Sequence, residues 1–427
     1  MAGKSSAGCL KTGPQYTRRG DHAAPGWAAG VDDMTRLRIA INCGGGYVPG
    51  LNGVVAGAAL AAQALDWEVV GIHDGFDGLL APDNYPDGGV VRFDARAIDA
   101  LEVGGSALGT GARIDPFRAR HVGEEGFVSE IDRSDDLLAA IRVQEIDAVV
   151  SVVGGSALAG QHALSVVFKL ARKGLKAVCI PKSVENDVAA TALSFGFNTA
   201  LSATTETLDR IRAAARDVRR VAAVEVPGYE AGWLALQAGI AARADAILIP
   251  EIPYDLEAVA TALAERAAAG LRPALVVAAE GARAVEGSPA PAPASEAARK
   301  SLSPLSDASF GEGGRVIDRS GALAQSLALS LQRMTDIETL PFSLGQLVRG
   351  GAPTAVDRQL GLGYGAAAVQ ALKEGQTGVM VSFQPPDLKF VPLKEAINKV
   401  RTVPANSEFV RVARALGVCL GDRGERQ

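Results

Sequence analysis

The chain has 427 residues, of which 48 % are apolar and 21 % charged, with a formal net charge of −5. That length accommodates two domains with sizeable cores. The charge balance excludes a general nucleic-acid footprint and a polybasic membrane patch, so any anion site must be local. The longest apolar run, 54–65, contains Gly57 and Gln63 and is too short to span a bilayer.

Residues 1–34 are rich in Gly, Ala, Arg and Pro and lack the continuous apolar core of a secretory signal. They read as a disordered tail, with Met34 as an alternative start. A strand is expected at 37–42 and a helix at 54–65, joined by Cys43-Gly44-Gly45-Gly46-Tyr47-Val48-Pro49-Gly50-Leu51-Asn52-Gly53. Such a turn lets backbone N–H groups approach a phosphate at a helix N-terminus. It matches neither the dinucleotide nor the P-loop motif, and glycines also serve plain tight turns. The strand Glu68–Ile72 ends in His73, which reads either as a ligand contact or as a solvated loop histidine.

The glycine-rich stretch 104–113 carries Ser106, Thr110 and Arg113, all able to meet phosphate oxygens; the alternative is a flexible surface loop. The β-branched run 147–153 predicts a strand buried on both faces. It leads through Gly154-Gly155-Ser156-Ala157 into a helix at 160–172.

A short strand at 176–178 precedes Cys179-Ile180-Pro181-Lys182-Ser183-Val184-Glu185-Asn186-Asp187. This stretch places a cation, a hydroxyl and two carboxylates between a strand end and a helix pattern ending near Arg210. Ligands of open α/β sheets sit outside the carboxyl ends of the strands, although charged residues also populate ordinary solvated turns. The theme then repeats. Strands are expected at Val221–Val226, 246–249 and 274–279, with helices at 233–244 and Leu256–Ala268. A Pro/Ala-rich segment makes 285–312 a mobile insertion. Beyond it come a helix at 321–333, a glycine turn at 344–353, a helix at 357–373 and a last strand at 379–383. Repeated strand–turn–helix units predict mainly parallel, doubly wound sheets. Cys9, Cys43, Cys179 and Cys419 form no CxxC or Cys/His cluster, which fits reduced thiols and a cytoplasmic protein.

Taken in order, several turns resemble the phosphofructokinase family: Gly44-Gly45-Gly46-x-x-Pro49-Gly50-Leu51-Asn52, Gly104-Gly105-x-x-Leu108-Gly109-Thr110, Pro181-Lys182-Ser183-x-x-Asn186-Asp187, Glu230-Ala231-Gly232, and Arg349-Gly350-Gly351-x-Pro353. The resemblance implies two Rossmann-like α/β domains with the active site in the cleft. It implies a donor-binding domain at 35–187, an acceptor-binding domain at 188–345 and returning helices at 346–427 packing across both. It further implies a homodimer or homotetramer, Mg²⁺, and phosphoryl transfer from pyrophosphate or ATP to fructose 6-phosphate.

In that family a lysine at the position of Lys182 marks pyrophosphate users and a glycine marks ATP users, so Lys182 favours pyrophosphate. An ammonium there also suits a compact, highly charged donor. The implied catalytic residues are Glu185 as base, Asp187 and Ser183, with Glu185 and Asp187 holding the metal. The implied donor residues are Gly45, Gly46, Tyr47, Arg113, Gly154, Gly155, Ser156 and Lys182. Glu251, Arg349, Tyr229, Arg220 and Gln346 fall at acceptor positions, with Arg220 reaching a neighbouring subunit.

Several positions depart from the family pattern. Glu185 replaces the family's aspartate base, Gly154-Gly155-Ser156-Ala157 lacks the metal aspartate, and Tyr47 stands where Asp is usual. Pro227-Gly228-Tyr229 replaces Met-Gly-Arg, and Leu340 and Gln346 replace two groups that flank the 6-phosphate. A different sugar or polyol acceptor, or a catalytically impaired metabolite-binding homologue, are therefore the alternatives.

Overall fold

The computed structural model of the chain describes residues 36–122, 127–154, 163–286 and 321–422. The expected tail at 1–34, the loop residues Gly155, Ser156 and Ala157, and positions 287–312 of the expected insertion lie outside the described residues.

Strands β1 (Arg38–Cys43), β2 (Glu68–Ile72) and β3 (Val90–Arg92) open the chain, followed by a hairpin of β4 (Ala119–Val122) and β5 (Val128–Ile131). Next come β6 (Ala148–Val153), β7 (Ala177–Pro181), β8 (Val221–Val226), β9 (Ala246–Leu248), β10 (Leu275–Ala279), β11 (Thr339–Ser343), β12 (Val379–Gln384) and β13 (Asp387–Pro392). One sheet runs β13-β12-β7-β6-β1-β2-β3 and a second runs β11-β8-β10-β9. Pairing is parallel throughout, except that β3 and β13 join antiparallel at the two edges of the larger sheet. The mainly parallel, doubly wound expectation holds.

Alternation along the strands explains how both faces of the larger sheet are covered. Ile39, Ile41 and Cys43 pack on one side with Val54 and Ala58 of the helix Leu51–Gln63. Ala40, Val149 and Cys179 pack on the other with Leu164 and Leu170 of the helix Leu164–Arg172. The first of these clusters also takes in Val224, Val226 and Val277, so it continues onto the smaller sheet. The helix Leu51–Gln63 lies against the helix Ala355–Lys373. Their backbones approach so closely that a Cβ at Gly57 would overlap the carbonyl of Leu362, and one at Gly365 would overlap that of Val54.

Three expectations need correction. The helix starting at Phe197 runs to Asp217, past Arg210, because Ala213, Ala214 and Ala215 are strong helix formers with no breaker before them. Strand β11 was not expected; Pro341 argues against a central strand, and β11 is an edge strand, where proline is tolerated. The strand at 379–384 is also not the last. The chain turns at Pro385-Pro386 and β13 pairs back on β12, with Gln384 opposite Asp387.

Candidate active site

The site forms where β1, β7 and β8 deliver their carboxyl ends. Lys182 follows β7 directly. Its N–H donates to Val153 O at 3.0 Å, which extends the pairing of β7 with β6 by one residue. That anchoring turns the side chain inward, where only 3 % of the residue is exposed. The ammonium donates to Gly45 O at 3.0 Å and Gly46 O at 2.6 Å, joining two turns that are far apart in sequence. Burial, with the nearby Arg349 guanidinium second, pushes its pKa down from 10.5 to about 7. Cys43 beside it is fully buried, and burial raises its thiol to about 12, so it remains a protonated core residue.

The next residues form a hydrogen-bonded turn. Ser183 Oγ donates to Asp187 Oδ1 at 2.5 Å and accepts from Glu185 N at 3.0 Å. Asn186 takes a left-handed φ of 54°, a region asparagine tolerates, and its Oδ1 accepts from Ser194 N at 2.9 Å. Burial raises the pKa of Asp187, against the lowering effect of the Ser183 bond. Glu185 lies 3.9 Å from Arg349 Nη2 and accepts from Tyr229 N at 3.4 Å. The carboxylate therefore bridges the turn after β7 and the turn after β8, while Arg349 Nη1 also donates to Tyr47 O at 3.2 Å. A small cavity, with about 310 Å³ of free space open to solvent, is lined by Glu185, Gln346 and Arg349 together with Pro227, Glu280 and Gly345.

The second glycine loop is held by a residue of the first helix. Asn52 Nδ2 donates to Glu102 O and Gly104 O, both at 2.9 Å, and Asn52 Oδ1 accepts from Ala107 N at 2.8 Å. Tyr47 OH accepts from Gly105 N at 3.2 Å, and Gly46 N donates to Thr110 O at 3.2 Å. Arg113 is fixed through its backbone, which donates to Asp77 Oδ2 at 2.8 Å.

Other expected positions are engaged elsewhere. His73 bonds Asp87 at 2.8 Å and stacks on Tyr85. Glu251 accepts from Gly232 N at 3.0 and 3.1 Å and from Val403 N at 2.7 Å, and burial raises its pKa. Glu280 was not singled out from sequence, although its place at the end of β10 was a usable signal. Arg220 precedes β8 and pairs with Glu338 at 2.6 Å. It thus lies at the far end of this six-residue strand from Tyr229, roughly 20 Å away. Gly154 follows β6 directly and has no side chain to offer, while Gly155 and Ser156 are outside the described residues.

Among the described residues no group of three or more His, Cys, Asp or Glu side chains could hold a metal unaided. Mg²⁺, however, is commonly held by one or two carboxylates plus substrate phosphates. Glu185 and Asp187, hard oxygen donors on one turn, fit that partial role.

Fold and site together define an α/β protein that gathers a buried ammonium and two carboxylates on one turn at the carboxyl ends of its strands. The profile of the phosphofructokinase family matches residues 38–372. The chain is 36 % identical over 387 residues to the ATP-dependent 6-phosphofructokinase of Chloroflexus aggregans, covering 91 % of this chain and 98 % of that one. The chain belongs to the phosphofructokinase family. Among solved structures, the pyrophosphate-dependent phosphofructokinase of Marinobacter aquaeolei superposes with a TM-score of 0.63 at 19 % identity, covering 90 % of this chain and 92 % of that one. The phosphofructokinase of Saccharomyces cerevisiae gives 0.63 at 24 %, covering 84 % of this chain and 45 % of that longer one. These two likenesses bear on the fold alone.

Proposed function

We propose that the protein transfers a phosphoryl group from pyrophosphate to the 1-hydroxyl of fructose 6-phosphate. The observation that carries this reading is the inward, buried ammonium of Lys182, which shares a turn with Glu185 and is bonded to the carbonyls of Gly45 and Gly46 on the turn after β1. A dense anion beside a buried amine with a lowered pKa favours its charged form and restores the ammonium. In this reading the Glu185 carboxylate takes the proton from the sugar hydroxyl. The hydroxyl oxygen forms a bond to the transferred phosphorus as the bond to the leaving phosphate breaks.

Lys182 and Arg113 neutralise the donor. Arg349, Gln346 and Tyr229 face the acceptor, with Glu280 joining them and Glu251 supporting the Gly232 turn. Arg220 serves a neighbouring copy of a homo-oligomer. Glu185 and Asp187 would hold Mg²⁺, which would supply charge neutralisation. Positioning and electrostatics then account for most of the rate.

The Chloroflexus aggregans relative is named for ATP, which keeps ATP open as the donor. The deciding assay supplies Mg²⁺ with pyrophosphate or ATP and detects fructose 1,6-bisphosphate. Turnover at least tenfold faster with pyrophosphate is expected, and ATP-only turnover would overturn the donor assignment. A second reading is favoured by Tyr229 and Gln346, which bring no cation to the acceptor side. It predicts turnover of an unphosphorylated sugar or polyol, or binding without turnover.

A further inference from the structure

The segment 400–403, well beyond β13, reaches the loops at the ends of both sheets. Val400 pairs antiparallel with Val188. The Arg401 N–H donates to Asp187 O at 2.8 Å, and its Nη1 donates to Asn186 O at 3.3 Å. The same guanidinium lies 4.1 Å from the ring centroid of Trp233, whose Nε1 donates to Arg401 O at 2.8 Å. Two residues on, Val403 N donates to Glu251, the carboxylate that also receives Gly232 N. One arginine thus touches the turn that carries Glu185 and the first residue of the helix that follows the Tyr229 turn.

We propose that Arg401 is a positioning residue for phosphoryl transfer, holding the 185–187 turn in register with the acceptor-side turn at 227–232. This rests on the phosphoryl-transfer reading given above. The two carbonyls that accept from Arg401 belong to Asn186 and Asp187, the residues immediately after Glu185. The reach of that carboxylate depends on their orientation, because Asn186 sits at a positive φ. Arginine suits the task because its planar fork stacks on the indole face and still directs an N–H along its edge, which an ammonium cannot do. Displacing a reacting group by roughly 1 Å costs on the order of a hundredfold in rate.

The test compares wild type, Arg401→Ala and Arg401→Lys in ligand-free hydrogen exchange and in steady-state kinetics with fructose 6-phosphate and either pyrophosphate or ATP. Arg401→Ala should speed exchange of the amides at 184–188 and leave those of β8 unchanged. It should lower kcat by about 10- to 100-fold with donor KM within about threefold of wild type. Both variants keep the backbone bonds of residue 401; Arg401→Lys also keeps the charge, guarding against a variant that fails to fold, and should show the same pattern more weakly. Unchanged exchange at 184–188, or faster exchange with wild-type kcat, overturns the proposal. A wild type that turns over neither donor removes the phosphoryl-transfer reading instead, and the exchange data still decide whether Arg401 holds the turn.

Discussion

Replacing Lys182 with Met tests the electrostatic core of the site without any ligand. The ammonium titrates near 10.5 in an unfolded chain and at about 7 in the folded one. Below pH 7 it is charged in both states, and its burial costs up to about 5 kcal/mol. Between pH 7 and 10.5 the folded chain has released the proton while the unfolded chain retains it, so folding stability rises with pH. Integrated from pH 6 to pH 9, the gain is at most about 3 kcal/mol. The bonds to Gly45 O and Gly46 O favour the charged form and reduce the gain. Urea unfolding of wild type and Lys182→Met at both pH values measures the difference directly. Wild type should gain about 1–3 kcal/mol on the variant between pH 6 and pH 9. A constant gap, or one that moves in the variant's favour, would refute a buried, proton-losing lysine.

Glu185→Asp restores the shorter carboxylate of the family. If the extra methylene holds the base away from the hydroxyl, kcat should rise, by up to about a hundredfold; a fall would show that Arg349 and Tyr229 N have adapted the site to glutamate. Asn52→Ala removes the bonds that fix the second glycine loop, and should cost about 1–3 kcal/mol in urea unfolding and raise the donor KM. Gly57→Ala forces a Cβ into the Leu362 carbonyl and should destabilise by about 1–3 kcal/mol or more, read as a lower Tm, whereas an unchanged Tm would mean that the two helices can separate freely.

Much of the scaffold was legible because it is local. The strands Glu68–Ile72 and Val221–Val226 and the helix Leu256–Ala268 are continuous patterns bounded by clear breakers, and the structure has the same limits. The Lys182–Asp187 turn was legible because its chemistry is concentrated in six adjacent positions. Strand β11 was not, because Pro341 suppresses the strand signal and only its place at the edge of the sheet makes it harmless. The cross-links of the site were invisible for another reason. Asn52 reaches Gly104, Lys182 reaches Gly45, and Arg401 reaches Asn186, at separations of 52, 137 and 215 residues. Periodicity says nothing about such pairs. The engagement of Glu251 by backbone N–H groups, and the presence of Glu280 in the cavity, likewise emerge only once β9 and β10 lie side by side.

The central claim is that the Lys182 ammonium is the seat of the phosphoryl donor. Calorimetric titration of pyrophosphate at pH 8, in two buffers of different ionisation enthalpy, tests it most directly, with Lys182→Met as the reference for protons exchanged by pyrophosphate itself. Wild type should take up close to one more proton than the variant, as a mostly neutral amine becomes charged against the bound anion. Equal proton exchange in the two proteins, with equal affinity, would contradict it.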